Sequence, residues 1–402
     1  MSLRDWYSDR EILLVGVTSQ LGRNLLEKLL RSFRNVRVHV VLRSKNDLGP
    51  HERVKNIFES HGYQRLRQSN PKALSQVSIY NGDLGSDNMD LKPQDHLAMK
   101  NVSVAIHAAG PTSAFFDYCR GLSNLKAVIT AKNLYSYNDD IILESSMNEQ
   151  LPKDLPIGVV RFSELGPAYR EPMPGFVEAF QGPTALIVGA GYMFGSRKTP
   201  VEIIPVDIAT NSLIAVAWDI GTSVRGSEPQ YYNASTVGGT WDDLIKKSRR
   251  ADSKFPYPNF RVRGMSSLVI WHFIVVLLFE RLPSAICDTC LFLAGKKTKF
   301  LDEHTRVRGI LDNFEKTFSR MLLVQREKIE SLQKNLTLED QELIPMCSPI
   351  DVEAYVLCTA ASVRKLWVDE SNLKIINLFK SILLGLIVSP LVYYYFVSFE
   401  RS

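Results

Sequence analysis

The sequence predicts an α/β protein with a Rossmann-like, doubly wound parallel sheet, a mostly α-helical C-terminal region and a C-terminal transmembrane helix. The first observation behind this prediction is a βαβ pattern in residues 11–45, where a strand-type run, a glycine-containing turn, a helical pattern and a second β-rich run follow one another. Strand-type runs return at residues 77–80 and 102–106. The third observation is an uncharged stretch, residues 382–399, which is long enough for a spanning helix.

Length and composition limit the possible classes of protein. With 402 residues, of which 45% are hydrophobic, the chain can build one α/β domain with a second region attached, and it is not disordered. The net charge of +5 is small, and no block of Lys and Arg is interleaved with aromatic residues, so we expect no nucleic-acid partner. The five cysteines and the absence of a secretory signal in the first residues fit a reducing compartment. Cys287 and Cys290 form a C-x-x-C, but no second pair completes a zinc site, so we expect no metal.

The turn after the first strand carries the features of a dinucleotide site. Gly16 permits a tight turn, Gly22 lets the helix pack close to the strand, and Thr18 lies between them. The N-terminus of the following helix offers N–H groups and a positive dipole end to a pyrophosphate. Ser19 stands where the G-x-x-G-x-x-G pattern of the extended short-chain dehydrogenases has its middle glycine, and its hydroxyl could donate a hydrogen bond to a phosphate oxygen. The alternative is a βαβ unit that holds no cofactor.

The end of the second strand indicates which dinucleotide to expect. NAD requires an acidic residue there to bind the ribose hydroxyl, whereas Arg43 and the nearby Lys45 suit a 2′-phosphate. We therefore predict NADPH as the cofactor. Further contacts are predicted at the ends of the next two strand-type runs: Asp83 and Leu84 at the adenine, Ala108 and Ala109 at the pyrophosphate and ribose.

A series of short motifs follows in both halves of the sequence. They are Asn124, Leu155-Pro156-Ile157, Val159-Val160-Arg161, Glu171-Pro172-Met173-Pro174-Gly175-Phe176, Gly182-Pro183-Thr184, Val188-Gly189-Ala190-Gly191, Ile204-Pro205-Val206-Asp207, Asn211, Trp218, Tyr232-Asn233-Ala234-Ser235, Leu282-Pro283-Ser284-Ala285, Asp288, Glu339-Asp340 and Ile350-Asp351-Val352-Glu353-Ala354-Tyr355. In this order they resemble the eukaryotic fatty acyl-CoA reductases, a family of the extended short-chain dehydrogenase/reductase superfamily. The resemblance implies an NADPH-dependent enzyme that takes a long-chain acyl-CoA through the aldehyde to the fatty alcohol.

The resemblance has one gap, and it falls where the family has its catalytic residues. Such reductases carry a serine-bearing strand and then Tyr-x-x-x-Lys on a helix, where the lysine depresses the pKa of the tyrosine that acts as general acid. Only about thirty residues lie between the flanking motifs, so one strand and loop near residues 125–150 are predicted to be missing. Residues 133–139 resemble the tyrosine helix, with Tyr135 as the only candidate acid and Asp139 in place of the lysine.

The substitution by Asp139 puts catalysis in question. A carboxylate about 4 Å from the phenol disfavours the phenolate by about 4 kcal/mol at an effective dielectric near 20. The alternative for Tyr135 is that it only packs on a repaired helix. Three explanations remain open for the gap: a lost exon, a true pseudoenzyme, or a misplaced alignment. The matching functional alternative is a catalytically silent membrane-bound relative that binds acyl-CoA or serves as a partner subunit, and a sugar-nucleotide epimerase is disfavoured.

Two apolar stretches concern membranes. Residues 266–278 are predicted to be too short to span, so a core helix and a contact with acyl chains or membrane are equal alternatives. Residues 382–399 form about 27 Å of helix, which can just span a bilayer and bind membrane lipid. Lys and Arg are more frequent before this stretch than after it, which predicts a cytoplasmic catalytic domain on the endoplasmic reticulum or the peroxisome.

The resemblance also divides the chain. It implies an NADPH-binding reductase domain in residues 1–250, a helical C-terminal domain in 251–370 and a transmembrane tail anchor in 375–399. Asp207 is predicted to be a structural residue that caps an apolar helix. A homo-oligomer or hetero-oligomer is left open by the sequence.

Overall fold

The computed structural model describes residues 1–110, 112–136, 140–145, 151–223, 228–258, 260, 263–318, 321–347, 349–379 and 381–382. The strands are β1 (Glu11–Val15), β2 (Arg37–Leu42), β3 (Val77–Asn81), β4 (Val102–His107), β5 (Ala127–Asn133), β6 (Ile141–Ile142), β7 (Ile157–Phe162), β8 (Glu164–Gly166), β9 (Tyr192–Phe194), β10 (Ile203–Pro205), β11 (Gln230–Asn233), β12 (Gly264–Ser266) and β13 (Leu323–Val324). The α-helices are α1 (Leu3–Tyr7), α2 (Gln20–Ser32), α3 (Pro50–Glu59), α4 (Gln64–Ser69), α5 (Pro93–Ala98), α6 (Ser113–Arg120), α7 (Gly182–Ile187), α8 (Val206–Thr222), α9 (Trp241–Lys254), α10 (Val269–Val276), α11 (Leu282–Leu293), α12 (Phe300–Phe318), α13 (Glu327–Asn335), α14 (Leu338–Leu343) and α15 (Val352–Trp367).

Seven parallel strands form the main sheet, in the order β11-β7-β5-β4-β1-β2-β3. The strand order reverses between β1 and β4, so the carboxyl ends of these two strands border the crevice in which such sheets bind ligands. The register brings Val15, at the end of β1, beside Val41 of β2 and His107 of β4. The predicted Rossmann-like sheet is confirmed.

Strand β5 occupies the position that the sequence predicts to be empty. It pairs with β4 on one side and with β7 on the other, where Lys132 lies beside Arg161. The prediction of a missing strand is therefore wrong. Between β5 and β7, the described residues contain the 3-10 helix Leu134–Ser136 and β6, but no α-helix. The described residues between β5 and β7 thus contain no α-helix, but the main sheet is continuous from β4 through β5 to β7.

Burial explains why these strands form. All six residues of β4 and all six of β7 are buried, as are four of the five in β1. Strands covered by helices on both faces need continuous apolar sequence, which is the pattern that β1 and β4 show. Helix α8 packs on α2, β5 and β7, and it is buried almost all round from Val206 to Ala217. The core therefore fixes the carboxyl ends of the strands that carry the site.

Contacts between residues divide the chain into two units. The first comprises Met1–Ala179, Val201–Gly238 and Arg320–Asp351, and it contains the whole main sheet. The second comprises Phe180–Pro200, Gly239–Ser319 and the chain from Val352 onward, and its described residues are mainly helical. The division at residues 250 and 370 that the sequence predicts stays a prediction.

The helices α10 and α11 belong to one longer helix. A π-helical segment, Leu277–Arg281, joins them, so the helix runs from Val269 to Leu293 over 25 residues. This helix is long and apolar enough to cross a membrane, and it lies in the middle of the chain. The expectation that this stretch is too short to span is therefore wrong about its length. The predicted tail, residues 382–399, lies outside the described residues apart from its first one.

Candidate functional site

The turn between β1 and α2 requires glycine at both predicted positions. Gly16 has a φ of +83°, and a Cβ added there would lie 2.7 Å from the Cβ of Ala109. A Cβ on Gly22 would lie 2.2 Å from the carbonyl oxygen of Gly16. The tight turn and the close helix packing that the sequence predicts are thus present.

Ser19 is the N-cap of α2, and its backbone is extended, with φ −72° and ψ 159°. Its Oγ accepts the N–H of Gly22 at 3.0 Å, donates to the carbonyl oxygen of Gly16 at 2.8 Å, and lies 3.2 Å from that of Ala108. Because a hydroxyl has one proton, the hydrogen bond that we expected from Ser19 to a phosphate has no donor in this conformation. A phosphate bound at this turn would depend on the first-turn N–H groups of α2.

A cavity of about 280 Å³ opens beside this turn. Five predicted cofactor contacts line it together: Gly16, Thr18, Arg43, Asp83 and Leu84. Ala108 and Ala109 are not lining residues, but both lie against the turn, since Ala109 is the residue nearest to a Cβ added at Gly16 and the carbonyl of Ala108 faces Ser19. The structure therefore brings the predicted residues to one place on the carboxyl edge of the sheet.

Positive charge predominates in this cavity. Lys45 and Arg53 line it beside Arg43, and Asp83 is the one acidic residue among its lining residues. The guanidinium of Arg43 lies 3.6 Å from the carboxylate of Asp83, and the Arg43 side chain is 67% exposed. An ion pair this exposed contributes about 0–1 kcal/mol, so a bound phosphate can compete for Arg43.

Arg53 was missed by the sequence reasoning. It lies in the first turns of α3, a helix that begins at Pro50, and it donates a hydrogen bond to the backbone carbonyl of Arg43. The sequence did contain a signal for this residue: Pro50 begins a helix after the Arg43 loop, and Arg53 is a basic residue about one turn into it. Arg53 thus supports the loop and adds a third cation.

His107 ends β4 behind the cavity. Its ring is buried, its Nδ1 accepts the N–H of Ala109 at 3.3 Å, and its Nε2 has no partner among the described residues. Burial lowers the pKa of His107 from 6.5 to about 4, and the charge of Lys132 acts in the same direction. This histidine is therefore neutral in the folded protein at pH 7.

The burial of His107 predicts a pH dependence of stability. Between pH 6.5 and pH 4 the unfolded chain binds a proton at this residue and the folded chain does not. The free energy of unfolding therefore decreases by about 3 kcal/mol as the pH falls through this range. The variant H107Q should lose this part of the pH dependence, as measured by urea unfolding at pH 7 and pH 4.5. H61Q, at an exposed histidine, is the control and should unfold as the wild type does. An unchanged pH dependence in H107Q would contradict the assignment.

Tyr135 lies on the 3-10 helix directly after β5, so the prediction that it belongs to an α-helix is wrong. Its N–H donates to the Oδ1 of Asn133 at 2.8 Å, and the Nδ2 of Asn133 donates to Glu164 at 3.1 Å. The half-buried Tyr135 side chain packs on a small apolar cluster that includes Leu134. Asp139 lies outside the described residues. The role of Tyr135 as acid stays a prediction.

Besides Tyr135, Glu164 is a second side chain at this edge of the sheet that could act as an acid. It begins β8 two residues after β7, and its carboxylate accepts from Asn133. Burial raises the pKa of Glu164, whereas the hydrogen bond from Asn133 lowers it. The sequence reasoning missed this residue, although a lone carboxylate directly after the buried run of β7 is a signal that was available.

Asp207 is structural, but in a different way from the one predicted. Pro205, not Asp207, is the N-cap of α8. The carboxylate of Asp207 accepts the backbone N–H groups of three consecutive loop residues at 2.8, 2.8 and 3.1 Å, namely Tyr169, Arg170 and Glu171. It therefore holds a loop of the first unit against α8.

Among the residues that the structure describes, no group of three or more His, Cys, Asp or Glu side chains could hold a metal ion. Cys287 and Cys290, the C-x-x-C pair, lie on α11 as free thiols, the first buried and the second exposed.

Comparisons with known proteins agree with this geometry. A family model described as male sterility protein, with a name that denotes NAD binding, matches residues 14–134, which include the end of β1 and all of β2–β5. The mouse fatty acyl-CoA reductase 1 is 25% identical over 85% of this chain and 81% of its own length. The Drosophila melanogaster fatty acyl-CoA reductase wat is 20% identical over 84% and 80%.

Solved structures share the fold. The reductase domain of a nonribosomal peptide synthetase from Mycobacterium tuberculosis superposes with a TM-score of 0.60 at 14% identity, covering 92% of both chains. The terminal R domain of the myxalamid PKS-NRPS pathway gives a TM-score of 0.55 at 14% identity, covering 88% of this chain and 90% of that one. The glycine turn, the sheet and these relatives together confirm the resemblance: the chain is similar to the fatty acyl-CoA reductases over 85% of its length, and residues 14–134 match the male sterility protein model.

Proposed function

We propose that the protein reduces a long-chain fatty acyl-CoA through the aldehyde to the fatty alcohol with NADPH. The observation that carries this proposal is the cationic cavity beside the Gly16 turn, where Arg43, Lys45 and Arg53 meet. The names of the relatives supply the substrate class.

The residues present fit NADPH. Because neither Gly16 nor Gly22 has space for a Cβ, the backbone can approach a pyrophosphate closely. Arg43 has a planar guanidinium that can bind a 2′-phosphate through two charge-assisted hydrogen bonds, with Lys45 and Arg53 as further cations. Asp83 and Leu84 line the same cavity and would border the adenine. Bound NADPH would supply the hydride for both reductions.

The reduced oxygen also needs a proton. Tyr135 and Glu164 are the candidates, and Asn133 contacts both through its side chain. Burial favours the neutral form of Glu164, and a neutral carboxyl can donate a proton that a carboxylate cannot. The 3-10 helix of Tyr135 carries no lysine that could lower the pKa of the tyrosine. Glu164 is therefore an alternative proton donor.

Variants of these two residues test the proton donor. We expect Y135F and E164Q to bind NADPH as tightly as the wild type does. The variant that lacks the proton donor should slow the single-turnover oxidation of NADPH by palmitoyl-CoA about 10²- to 10⁴-fold. E59Q, at an exposed glutamate on α3, is the control and should react as the wild type does. Full rates in both Y135F and E164Q would exclude both residues as the acid.

One observation favours a second candidate function, a silent relative that binds acyl-CoA or a sister reductase. Tyr135 lies on a 3-10 helix, and no tyrosine in the sequence is followed by lysine four residues later. Such a protein would bind NADPH and transfer no hydride. The single-turnover measurement distinguishes it from the reductase.

The membrane anchor is also part of the proposal. Residues 382–399 carry no charge and are long enough for one bilayer crossing. The excess of Lys and Arg before them supports a cytoplasmic reductase domain, on the endoplasmic reticulum or the peroxisome.

A further inference from the structure

The helix of residues 269–293 has one polar, buried face. Glu280 is 1% exposed, and its carboxylate accepts the backbone N–H of Tyr192 at 2.6 Å. Two turns further on, the buried Asp288 accepts the N–H groups that begin α12, those of Lys299, Phe300 and Leu301, at 3.0, 3.1 and 2.8 Å. This face is therefore fastened to the rest of the second unit by two carboxylates.

The other side of the same helix is apolar and exposed. Among the described residues, 12 of the 23 exposed large hydrophobic side chains lie between Leu268 and Leu293. Ile270 is 77% exposed, Phe273 63% and Phe292 71%. An apolar surface of this length on a folded protein, with Arg281 as the exposed charge within the helix, marks a contact with a partner or a membrane.

The polar face decides how this helix can meet a bilayer. If the helix crossed the membrane, Glu280 would leave the N–H of Tyr192 and enter the hydrocarbon, where a charged group costs several kcal/mol. With Glu280 and Asp288 held in the protein, only the exposed side can contact lipid. This arrangement is typical of a helix that lies in the plane of the interface.

The described residues just before the predicted tail lie beside this helix. Ile376 and Phe379, just before the uncharged segment, pack in one cluster with Cys287 and Leu291 of α11. The chain thus runs toward residue 382 beside this helix. Arg281, Lys296 and Lys297 are exposed nearby, and such cations suit anionic headgroups.

We propose that the exposed apolar side of the helix Val269–Leu293 lies in the headgroup–acyl boundary of the bilayer that the C-terminal segment enters. The occupant of this surface is lipid. The inference rests on the proposed tail anchor for the nearness of the bilayer, and it adds a second, in-plane membrane contact that fixes the orientation of the second unit.

Fluorescent labels on the full chain test this inference. A cysteine for an environment-sensitive dye replaces Phe273, Phe279 or Phe292 in a C290S/C347S/C358S background, in which the remaining Cys119 and Cys287 are buried. The protein is reconstituted in phosphatidylcholine–phosphatidylserine vesicles. S253C, at an exposed position on α9, is the matched control, and V392C reports on the tail. Lipids with a nitroxide near the headgroup or near the chain end serve as shallow and deep quenchers.

We expect the shallow quencher to reduce the fluorescence at 273, 279 and 292 to a similar extent and more than the deep one, with no quenching at 253. Deeper quenching at 279 than at the other two sites would mean a spanning helix and would overturn the inference. Quenching at 392 alone would overturn it while leaving the tail anchor intact. Quenching at the three helix sites without 392 would reject the tail anchor and keep the in-plane contact. If the labels became shielded from water in the absence of lipid, and more so at higher protein concentration, a second copy of the chain would cover this surface instead of lipid.

Discussion

Gly22→Ala is expected to destabilise the first unit by about 3 kcal/mol and to abolish cofactor binding. The added Cβ would lie 2.2 Å from the carbonyl oxygen of Gly16, 2.8 Å from its carbonyl carbon and 2.9 Å from the Cα of Val17. All three are backbone atoms, so no side-chain rotation can relieve the contact and the turn itself has to move. Thermal unfolding and an NADPH titration on the full chain measure the two effects.

Gly309→Ala is the matched control for this change. Gly309 lies on the exposed side of α12, and a Cβ there would meet nothing within 4 Å. Because alanine is the better helix former, this variant should gain about 0.5–1 kcal/mol. If G22A unfolded at the wild-type temperature and bound NADPH as tightly, the close packing of α2 on the turn would be refuted.

Arg43→Ala is expected to weaken NADPH binding about 10- to 100-fold and to leave NADH binding unchanged. A hydrogen bond to a charged group contributes about 1.5–3 kcal/mol, and each 1.4 kcal/mol is a factor of ten in affinity. The two cofactors differ only in the 2′-phosphate, so the ratio of their dissociation constants isolates that contact. Fluorescence titration of the full chain with each cofactor measures the ratio.

Lys55→Ala is the control for Arg43→Ala. Lys55 lies on α3, close in sequence to Arg53, but it is exposed and pairs with Glu59 at 3.9 Å instead of lining the cavity. We expect its affinity for both cofactors to equal that of the wild type. An equal loss of NADPH and NADH affinity in R43A would place Arg43 at the pyrophosphate or the adenine and would remove the basis for NADPH specificity.

The strands β1 to β4 and the residues that line the cavity could be predicted because buried parallel strands impose mostly apolar sequence and end at turns on one edge of the sheet. The sequence prediction misses strand β5 because it rests on the small number of residues between the flanking motifs and assigns residues 133–139 to a helix. A short buried run cannot be assigned to a strand or a helix by periodicity alone. Only the pairing with β4 and β7 decides it.

Other features depend on tertiary contacts that no local pattern reveals. The proton of Ser19 is used inside its own loop, and Glu164 gains its environment from Asn133 on a different strand. Glu280 interrupts the apolar pattern of the mid-chain helix in the sequence, but the helix continues because the N–H of Tyr192 satisfies that carboxylate. Such compensation becomes visible only when distant segments are placed together.

The most direct test is a titration of the full chain with NADPH, followed by a single turnover with palmitoyl-CoA. The proposed function predicts saturable NADPH binding, oxidation of two NADPH per acyl-CoA consumed and the appearance of hexadecanol. Binding without oxidation would contradict the reductase and support the silent relative, and no binding by a folded chain would contradict the cofactor site itself.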